Sequence, residues 1–452
     1  MTYRQVTVMH NAIQHITSFH VYAAIIIFII TYFLIMTEKI NRASAALLGA
    51  ILMILLGIVD FNKAIMEHIQ WETIVLLMGM MILVGITNKT GVFQYAAIKS
   101  AKIAKGDPVR ILVILSILTG VGSAFLDNVT TVLLIVPVTF SITTILNINP
   151  FPFLISEVLF SNIGGTATLI GDPPNIMIGA ANPHLDFNAF LLNLTPAVLI
   201  IGVVTLGILV LIYRKKLKVE DSKKQELMSL NEKDYIQDSV LMKKSLTVLV
   251  LTILGFTLHS VLHIDAAMVA ITGAAVLLVI GLRTHDEVES AFDSVEWTTI
   301  IFFAGLFILV GGLIDVGIIK KLAAGALNVT DGNIALSAYL ILWISGIASA
   351  VIDNIPFVAT MIPLIQDMAH GMGMSPDSAQ ISVLWWSLAL GACLGGNGTL
   401  IGASANVIVA GMAVKKGHKF SFMDFLKIGA PITLVSLLIS TLYIFLRYLL
   451  FL

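Results

Sequence analysis

The sequence predicts an all-α polytopic membrane protein built from two inverted repeats of five spans, each with a re-entrant hairpin and a broken helix. Three observations support this fold class: the composition, an internal repeat and the distribution of basic residues. Of the 452 residues, 58% are hydrophobic and 12% are charged, and the mean hydropathy is +0.98. Soluble domains are typically about 45–50% apolar and about 25% charged. The composition therefore excludes a large soluble enzyme.

Charge and cysteine content exclude other classes of protein. The 26 Lys and Arg are balanced by 27 Asp and Glu and form no basic module, so we expect no nucleic-acid partner. The single cysteine, Cys393, can form neither an internal disulfide nor a cysteine-rich metal site. Residues 1–20 do not show an apolar core followed by a cleavage site, and we predict that they form an N-terminal tail.

Ten apolar runs have about the length that crosses a bilayer as a helix. One hydrophilic stretch, residues 214–244, divides the chain almost in half and is predicted to be a solvated linker. The first repeat is then residues 21–213, and the second is residues 245–452. The ten runs begin near Val21, Ala43, Trp71, Pro152, Pro196, Ser245, Ala266, Trp297, Ser378 and Lys427.

The two halves contain matching segments, which is the signature of an internal duplication. The 21 residues from Trp71 match the 21 from Trp297 at nine positions, with an offset of 226. The same offset aligns the motif FLDN with the motif VIDN. With an offset of 231, the 13 residues from Gly164 match the 13 from Gly395 at seven positions. Generic apolar composition would not also align Trp, Asp, Asn and Gly in this order.

The distribution of Lys and Arg orients the chain. Residues 108–146 and 335–370 each carry an Asp-Asn pair within an apolar run, so each is predicted to be a re-entrant hairpin of two short helices. Five crossings remain in each half, and with the linker inside, 21 of the 26 basic residues lie inside. The linker is therefore predicted to be cytoplasmic and both termini outside. An odd number of crossings inverts the second repeat and brings both hairpin tips towards the midplane.

Each hairpin tip places polar side chains at membrane depth. An ionisable group there costs about 2.5–3.5 kcal/mol on insertion scales, so it normally faces a protein-lined cavity and marks a functional site. The alternative is that the two aspartates only cap the second helix of each hairpin. We favour binding, because capping requires one polar residue and both tips have two. The polar tip residues are Asp127, Asn128, Thr130 and Thr131 in the first half, and Asp353 and Asn354 in the second.

Residues 152–180 and 378–410 are each predicted to form a helix that is interrupted within the membrane. Paired glycines and paired prolines break a helix and free backbone groups that lipid cannot satisfy. Half-helix N-termini attract anions, and exposed carbonyls coordinate cations. The alternative is that the paired glycines form a close helix-packing notch. The candidate residues at the two breaks are Asn162, Gly164, Gly165, Thr166, Thr168, Asp172 and Asn175, and Gly395, Gly396, Asn397, Thr399 and Asn406.

Two acids and one basic segment have more than one interpretation. Asp172 has no counterpart in the second half, where Ala403 stands, so it is either a substrate-specific or proton-carrying group or a helix cap. Glu157 is predicted to be a solvated residue at a helix entry rather than a proton relay. Residues 88–110 are predicted to form an amphipathic arm helix on the cytoplasmic surface.

The motifs DNVTTVLLIVPVT from Asp127 and SNIGGTATLIGDPPNIMIG from Ser161 resemble those of the ion transporter superfamily. They are most similar to its branch of arsenite-efflux permeases, NhaD-type sodium/proton antiporters and the melanosomal P protein, and the resemblance covers residues 21–449. It implies a homodimer with a scaffold domain and an elevator-type transport domain made of the hairpins and broken helices. Related divalent-anion/sodium symporters carry Ser-Asn-Thr at the tips, whereas this chain has Asp-Asn-Val and Asp-Asn-Ile, which disfavours dicarboxylate transport.

These features predict a secondary active transporter of a bacterial plasma membrane, either a Na⁺/H⁺ antiporter or a proton-coupled exporter. A carboxylate at membrane depth loses hydration, so Na⁺ and H⁺ compete for its oxygens. Arsenite or antimonite efflux, Na⁺-coupled anion transport and an ion channel are the alternatives. An intramembrane hydrolase is disfavoured, because no Ser-His or Cys-His pair is predicted at membrane depth.

The predicted ligands follow from this function. The coupling ion would be Na⁺ or H⁺, with Na⁺ at the Asp-Asn pairs Asp127 with Asn128 and Asp353 with Asn354. We expect no resident cofactor and no further metal centre. The expected partners are the lipid bilayer, a small inorganic ion or small anion as substrate, and a second copy of the chain.

Overall fold

The computed structural model describes residues 18–37 and 39–451, and all regular structure within them is helical. The predicted N-terminal tail lies outside the described residues, except that its last three residues begin the first helix. Short helical turns cover Phe61–Lys63, Ala64–His68, Glu232–Tyr235 and Leu449–Phe451. The longer helices are α1 Ser18–Thr37, α2 Arg42–Leu55, α3 Trp71–Asn88, α4 Val92–Ile103, α5 Pro108–Leu126, α6 Asn128–Ile145, α7 Phe151–Gly165, α8 Pro173–Ala181, α9 Phe187–Tyr213, α10 Asp221–Ser229, α11 Ser239–Leu262, α12 Ala266–Gly281, α13 His285–Phe292, α14 Trp297–Asp315, α15 Ile318–Thr330, α16 Ile334–Val351, α17 Asn354–Gly371, α18 Ala379–Gly395, α19 Ser404–Lys415 and α20 Phe422–Arg447.

Nine helices in the described part of the chain are long and apolar enough to cross a membrane. Six of them, α1, α3, α9, α11, α14 and α20, correspond to predicted spans. The other four predicted spans, α2, α7, α12 and α18, have only 14 to 17 residues. Helices α7 and α18 are short because each stops at a glycine pair.

The helices of the two hairpin regions fill the predicted ranges. Helices α5, α6, α16 and α17 have 18 or 19 residues, which corresponds to a length of about 27 Å. Each hairpin region thus contains two helices that are joined at its Asp-Asn pair. Three of the four, α5, α6 and α16, are among the nine helices that could cross a membrane by length and composition.

Three predicted helix starts were too late. Pro196, Ser245 and Lys427 all lie inside helices, which begin earlier at Phe187, Ser239 and Phe422. Helix α9 begins where the Asp186 side chain accepts a hydrogen bond from the Ala189 amide at 2.7 Å, an N-cap that satisfies an orphan donor. Proline is tolerated inside a membrane helix because neighbouring groups satisfy the freed carbonyl. Pro196 therefore lies within α9 and does not mark its start.

The chain folds into two compact units that do not follow the boundary between the sequence repeats. The smaller unit contains the described residues up to Gln70 together with Trp297–Gly325. The larger unit contains Trp71–Glu296 and Ala326–Leu452. Each unit therefore takes helices from both halves of the chain. Both hairpin regions and both broken helices belong to the larger unit.

Helices from different repeats pack closely inside each unit. In the larger unit α3 packs on α12, and a Cβ at Gly79 would lie 2.7 Å from the carbonyl carbon of Ala270. In the smaller unit α14 packs on α2, and a Cβ at Gly305 would lie 2.8 Å from the carbonyl carbon of Ala46. Gly79 and Gly305 are equivalent at the offset of 226. The same close backbone contact is thus built twice, once in each unit.

The linker and the arm helix each bury part of their surface. Residues 214–244 contain α10, and Leu227 of this helix is fully buried in the core of the larger unit. The arm helix spans only α4, whose Ala97 and Ile98 are also fully buried. Lys102 of α4 donates a hydrogen bond to Glu232 at 2.7 Å. This bond lowers the pKa of Glu232 below its ordinary value.

Candidate functional site

Asp127 joins α5 to α6 at the tip of the first hairpin. Its side chain accepts hydrogen bonds from the amide of Thr130 at 2.9 Å and from the hydroxyl of Thr130 at 2.5 Å. Its backbone has φ 90° and ψ 155°, a region that residues other than glycine rarely occupy. Such strain costs about 1–3 kcal/mol and clusters at functional sites. Asp127 therefore caps α6, but its strained backbone goes beyond what a cap requires.

Asp353 occupies the equivalent tip between α16 and α17. One carboxylate oxygen accepts a hydrogen bond from the amide of Ile355 at 3.2 Å. The other oxygen accepts a hydrogen bond from the hydroxyl of Ser404 at 2.7 Å. Ser404 begins α19, the second segment of the broken helix, so this carboxylate joins the hairpin tip to the break.

Both predicted helix breaks are present as irregular segments. Helix α7 ends at Gly165 and α8 begins at Pro173, while α18 ends at Gly395 and α19 begins at Ser404. An asparagine bridges each break. The Asn175 amide donates to the carbonyls of Thr166 at 3.1 Å and Thr168 at 2.8 Å. These contacts satisfy carbonyls that the interrupted helix leaves without their usual partners.

The second break is closed in the same way. The Asn406 amide donates to the carbonyls of Gly396 at 2.8 Å and Thr399 at 2.9 Å. Asn406 and Thr399 are equivalent to Asn175 and Thr168 at the offset of 231. The sequence repeat is therefore reproduced as a repeat of side-chain hydrogen bonds.

Each break is also tied to the hairpin of its own half. Thr168 donates to the carbonyl of Ala124 in α5, and Thr399 donates to the carbonyl of Ala350 in α16 at 2.5 Å. Serines in the hairpins complete the pattern, because Ser123 donates to the Ser161 carbonyl and Ser349 donates to the Ala392 carbonyl, at 2.6 and 2.5 Å. Hairpin and break thus form one hydrogen-bonded assembly in each half.

Asn162 connects the two halves of the chain. It accepts a hydrogen bond from Asn128 at 3.2 Å. Its own amide donates to the side-chain oxygens of Asn397 at 2.9 Å and Asn406 at 3.0 Å. Asn162, Asn397 and Asn406 are fully buried. The structure therefore brings four predicted site residues together in one buried amide cluster.

Asp172 makes a second connection between the halves. Although it precedes the first turn of α8, its side chain makes no capping hydrogen bond. Instead, its two oxygens accept from the amide of Asn354 at 3.3 and 3.4 Å. Asp172 is fully buried and Asn354 is 3% exposed. The alternative prediction that Asp172 is a helix cap is therefore wrong.

The electrostatic environment of these carboxylates is negative. Asp127 and Asp353 are electrostatic neighbours of Asp172. The tip and break segments 120–131, 161–175, 346–356 and 395–406 contain no Lys, Arg or His. Among the residues that the structure describes, no group of three or more Asp, Glu, His or Cys side chains is placed to hold a metal ion. A cation bound here would therefore take amide and carbonyl oxygens as further ligands, as hard cations do.

The comparisons with known proteins agree with this architecture. A family model described as the citrate transporter family, CitMHS, matches residues 32–391. The chain belongs to the CitMHS family. The resemblance to the ion transporter superfamily and to the P protein is thereby confirmed. This family member is an integral membrane secondary transporter and not an enzyme.

Several relatives of this CitMHS protein cover almost its whole length. The "Uncharacterized transporter Rv2684" of Mycobacterium tuberculosis (strain ATCC 25618 / H37Rv) is 45% identical over 428 residues, which are 94% of this chain and 98% of that protein. The "46 kDa membrane protein" of Mycobacterium leprae (strain TN) is 44% identical over 429 residues, again 94% and 98%. The P protein of Homo sapiens is 34% identical in an alignment 493 positions long, gaps included, which covers 91% of this chain and 58% of that protein.

The fold resembles a solved transporter structure. The Alcanivorax borkumensis YdaH transporter superposes with a TM-score of 0.56, covering 95% of this chain and 97% of that one. The sequences are 14% identical, so this likeness concerns the fold alone.

The glycine pairs also pack against the hairpins. A Cβ at Gly164 would lie 2.0 Å from the carbonyl oxygen of Gly120 in α5. At the equivalent position a Cβ at Gly395 would lie 2.5 Å from the carbonyl oxygen of Gly346 in α16. Such contacts are closer than real Cβ atoms allow. The packing notch and the helix break therefore coexist at the same glycines.

We expect Gly164→Ala to destabilise this CitMHS protein. The added methyl group would meet backbone rather than a movable side chain, and such overpacking costs about 1–3 kcal/mol or more. Thermal unfolding in detergent, followed by loss of a monodisperse size-exclusion peak, measures the effect. The matched control is Gly207→Ala in α9, where an added Cβ meets nothing within 4 Å. Equal melting temperatures for the two variants would contradict the close contact with Gly120.

Some residues at the site were not among the predicted candidates. Four serines connect the hairpins to the breaks: Ser123, Ser161, Ser349 and Ser404. Each lies in or next to a predicted motif, and this position in the sequence could have identified them. Cys393 lies at the site as well, because its thiol donates to the side-chain oxygen of Asn175 at 3.5 Å. Cys393 is a small residue within an apolar run, so nothing in the sequence indicated that it contacts Asn175.

Glu157 differs from its predicted environment. It is fully buried in α7 rather than solvated, and one carboxylate oxygen accepts from the hydroxyl of Thr139 at 2.5 Å. Its other oxygen has no partner among the described residues. The prediction of a solvated helix-entry residue is therefore wrong.

Proposed function

We propose that this CitMHS protein is a cation-coupled secondary transporter that exchanges Na⁺ for H⁺. One observation carries the proposal: Asp127, Asp172 and Asp353 share a negative neighbourhood that contains no basic side chain in the adjoining tip and break segments. A carboxylate at membrane depth is costly. A bound cation or proton relieves this cost, and competition between Na⁺ and H⁺ for the same oxygens makes the carrier an exchanger.

An elevator mechanism fits this proposal. Hairpin, break and partner helix form a hydrogen-bonded assembly in each half, and Asn162 and Asp172 join the two assemblies. The larger unit would move its site as one body. We further propose that the two repeats are inverted in the membrane, that the hairpins are re-entrant and that the protein is a homodimer.

A second candidate is Na⁺-coupled carboxylate transport. The description of the family as citrate transporters favours it. Helices α8 and α19 also direct their N-termini to the breaks, where such ends attract anions. The tip and break segments contain no basic side chain, which weighs against this candidate. A citrate anion carries several negative charges, and amide groups alone compensate them poorly.

Purified protein in proteoliposomes distinguishes these candidates. We expect a Na⁺ or Li⁺ gradient to drive proton movement, recorded with a pH-sensitive dye, whereas arsenite, citrate and phosphate gradients do not. Saturation and counterflow would separate the carrier from a channel. If citrate drives Na⁺ uptake with fixed stoichiometry and Na⁺ alone moves no protons, the carboxylate symporter replaces the antiporter.

The proposed orientation makes a labelling prediction. In a Cys393→Ser background, a cysteine at Ser229 is expected to react with an impermeant maleimide only from the cytoplasm. A cysteine at Asn328 is expected to react only from outside. Both native positions are exposed, so neither result depends on burial. Reaction of both from the same side would refute the proposed orientation of the repeats.

A further inference from the structure

A basic cavity lies at the junction of α9 and the linker, within the larger unit and apart from the candidate ion site. Its volume is about 870 Å³, and it lies between the first turn of α7, the end of α9 and the start of α20. The charged side chains that line it are Lys216, Lys419, Lys427 and Asp424. The cavity therefore has an excess of two positive charges.

These lysines are not used by the fold. Within residues 18–37 and 39–451, none of the three is paired with a carboxylate. The Lys216 ammonium lies 6.0 Å from the centre of the Tyr213 ring, where a cation–π attraction is weak. Three unpaired ammonium groups around one concavity repel each other. A bound anion would relieve this repulsion.

Tyr213 supplies a second, independent observation. It lines the cavity and is only 5% exposed, and its hydroxyl has no hydrogen-bond partner among the described residues. A buried hydroxyl without a partner is costly. This hydroxyl is therefore an available donor in the cavity that the three lysines line.

The apolar side chains that line the cavity indicate which kind of anion fits it. Ile148, Phe151, Ile212 and Ile428 contribute to the same cavity, so cationic and apolar surfaces meet there. Lysines bind phosphate groups as point charges. Basic pockets between membrane helices receive the headgroups of acidic lipids, and apolar walls suit the glycerol and the first carbons of the acyl chains.

We infer that this cavity binds a phosphate-bearing anion, either the headgroup of an acidic phospholipid or free phosphate, through Lys216, Lys419, Lys427 and Tyr213. The site is separate from the ion site of the proposed function and does not depend on which substrate is transported. Asp424 opposes binding, because it is the one negative group in the lining.

The test uses the full-length protein, purified and depleted of lipid in detergent. Binding of ³²P-labelled orthophosphate is measured by equilibrium dialysis, and binding of dioctanoyl phosphatidylglycerol by the rise in melting temperature. Dioctanoyl phosphatidylcholine, which is zwitterionic, serves as the lipid control. We expect Lys419→Gln with Lys427→Gln to weaken binding of the phosphate probes at least tenfold. The control, Lys223→Gln with Lys224→Gln on α10, removes the same charge and is expected to change binding less than twofold.

Two conservative variants keep the test independent of folding. Tyr213→Phe retains the ring and is expected to weaken binding about threefold, whereas Asp424→Asn is expected to tighten it. Binding of phosphatidylglycerol alone would identify the ligand as a lipid, and binding of orthophosphate alone would identify it as free phosphate. If neither probe binds, if phosphatidylcholine binds equally well, or if the two double-lysine variants behave alike, the inference is wrong.

Discussion

The double variant Asp127→Asn, Asp353→Asn is expected to abolish Na⁺-driven proton movement, with a loss of at least about 100-fold in flux. Asparagine has nearly the same shape as aspartate and is itself a good helix cap. It can still accept the hydrogen bonds from the amides of Thr130 and Ile355. The substitution therefore removes the negative charge while leaving both hairpin tips capped.

This experiment separates ion binding from capping. The matched control is Asp221→Asn in α10, an exposed aspartate paired with Lys224 at 2.7 Å, and its flux is expected to equal that of the wild type. The single variants Asp127→Asn and Asp353→Asn are each expected to lose most of the flux. Size-exclusion chromatography and melting temperature establish that the variants fold. If the folded double variant has wild-type flux, both aspartates serve only as helix caps.

The second large effect concerns pH and Asp172. Because protons and Na⁺ would compete for the same oxygens, the apparent affinity for Na⁺ is expected to fall as pH decreases, by up to about tenfold per pH unit when one proton competes. Asp172→Asn is expected to abolish this dependence. The carboxylates of Asp127 and Asp353 and the thiol of Cys393 are the other titratable groups near Asp172. The Na⁺ concentration for half-maximal proton flux, measured at several pH values, gives the result.

Glu157→Gln is the matched control for Asp172→Asn. Glu157 is equally buried, but its hydrogen-bond partner is Thr139 in α6 and it belongs to neither tip nor break. This variant is expected to retain the pH dependence of Na⁺ affinity. If Glu157→Gln abolishes the dependence and Asp172→Asn preserves it, Glu157 rather than Asp172 holds the competing proton.

Much of the candidate site could be predicted because its signals are local. An Asp-Asn pair within an apolar run and a glycine pair within a span are visible without any tertiary contact, and both mark places where a helix must end. The structure places the ends of α5, α7, α16 and α18 at these motifs. Helix starts were harder to predict, since the predicted starts Pro196, Ser245 and Lys427 lie inside α9, α11 and α20.

The environment of individual acids could not be predicted. Glu157 and Asp172 have similar sequence surroundings, in that each lies in or beside an apolar helix. One contacts a hydroxyl of the neighbouring helix, whereas the other contacts an asparagine 182 positions away. Burial of a side chain depends on which helices surround it, and hydropathy along one helix does not contain that information.

The sequence by itself determined the membrane class, the internal duplication, the family and the motifs at which helices are interrupted. These properties follow from composition, periodicity and the backbone chemistry of glycine, proline and aspartate, which act over a few residues. Only the tertiary structure decided that α2 packs on α14 and α3 on α12, that Asn162 gathers the amides of both halves and that Asp172 pairs with Asn354. Apart from the bond between Asn128 and Asn162, each of these contacts joins residues more than 180 positions apart. Each exists because a buried polar group or a close backbone notch is stable only when its partner is supplied by another part of the chain.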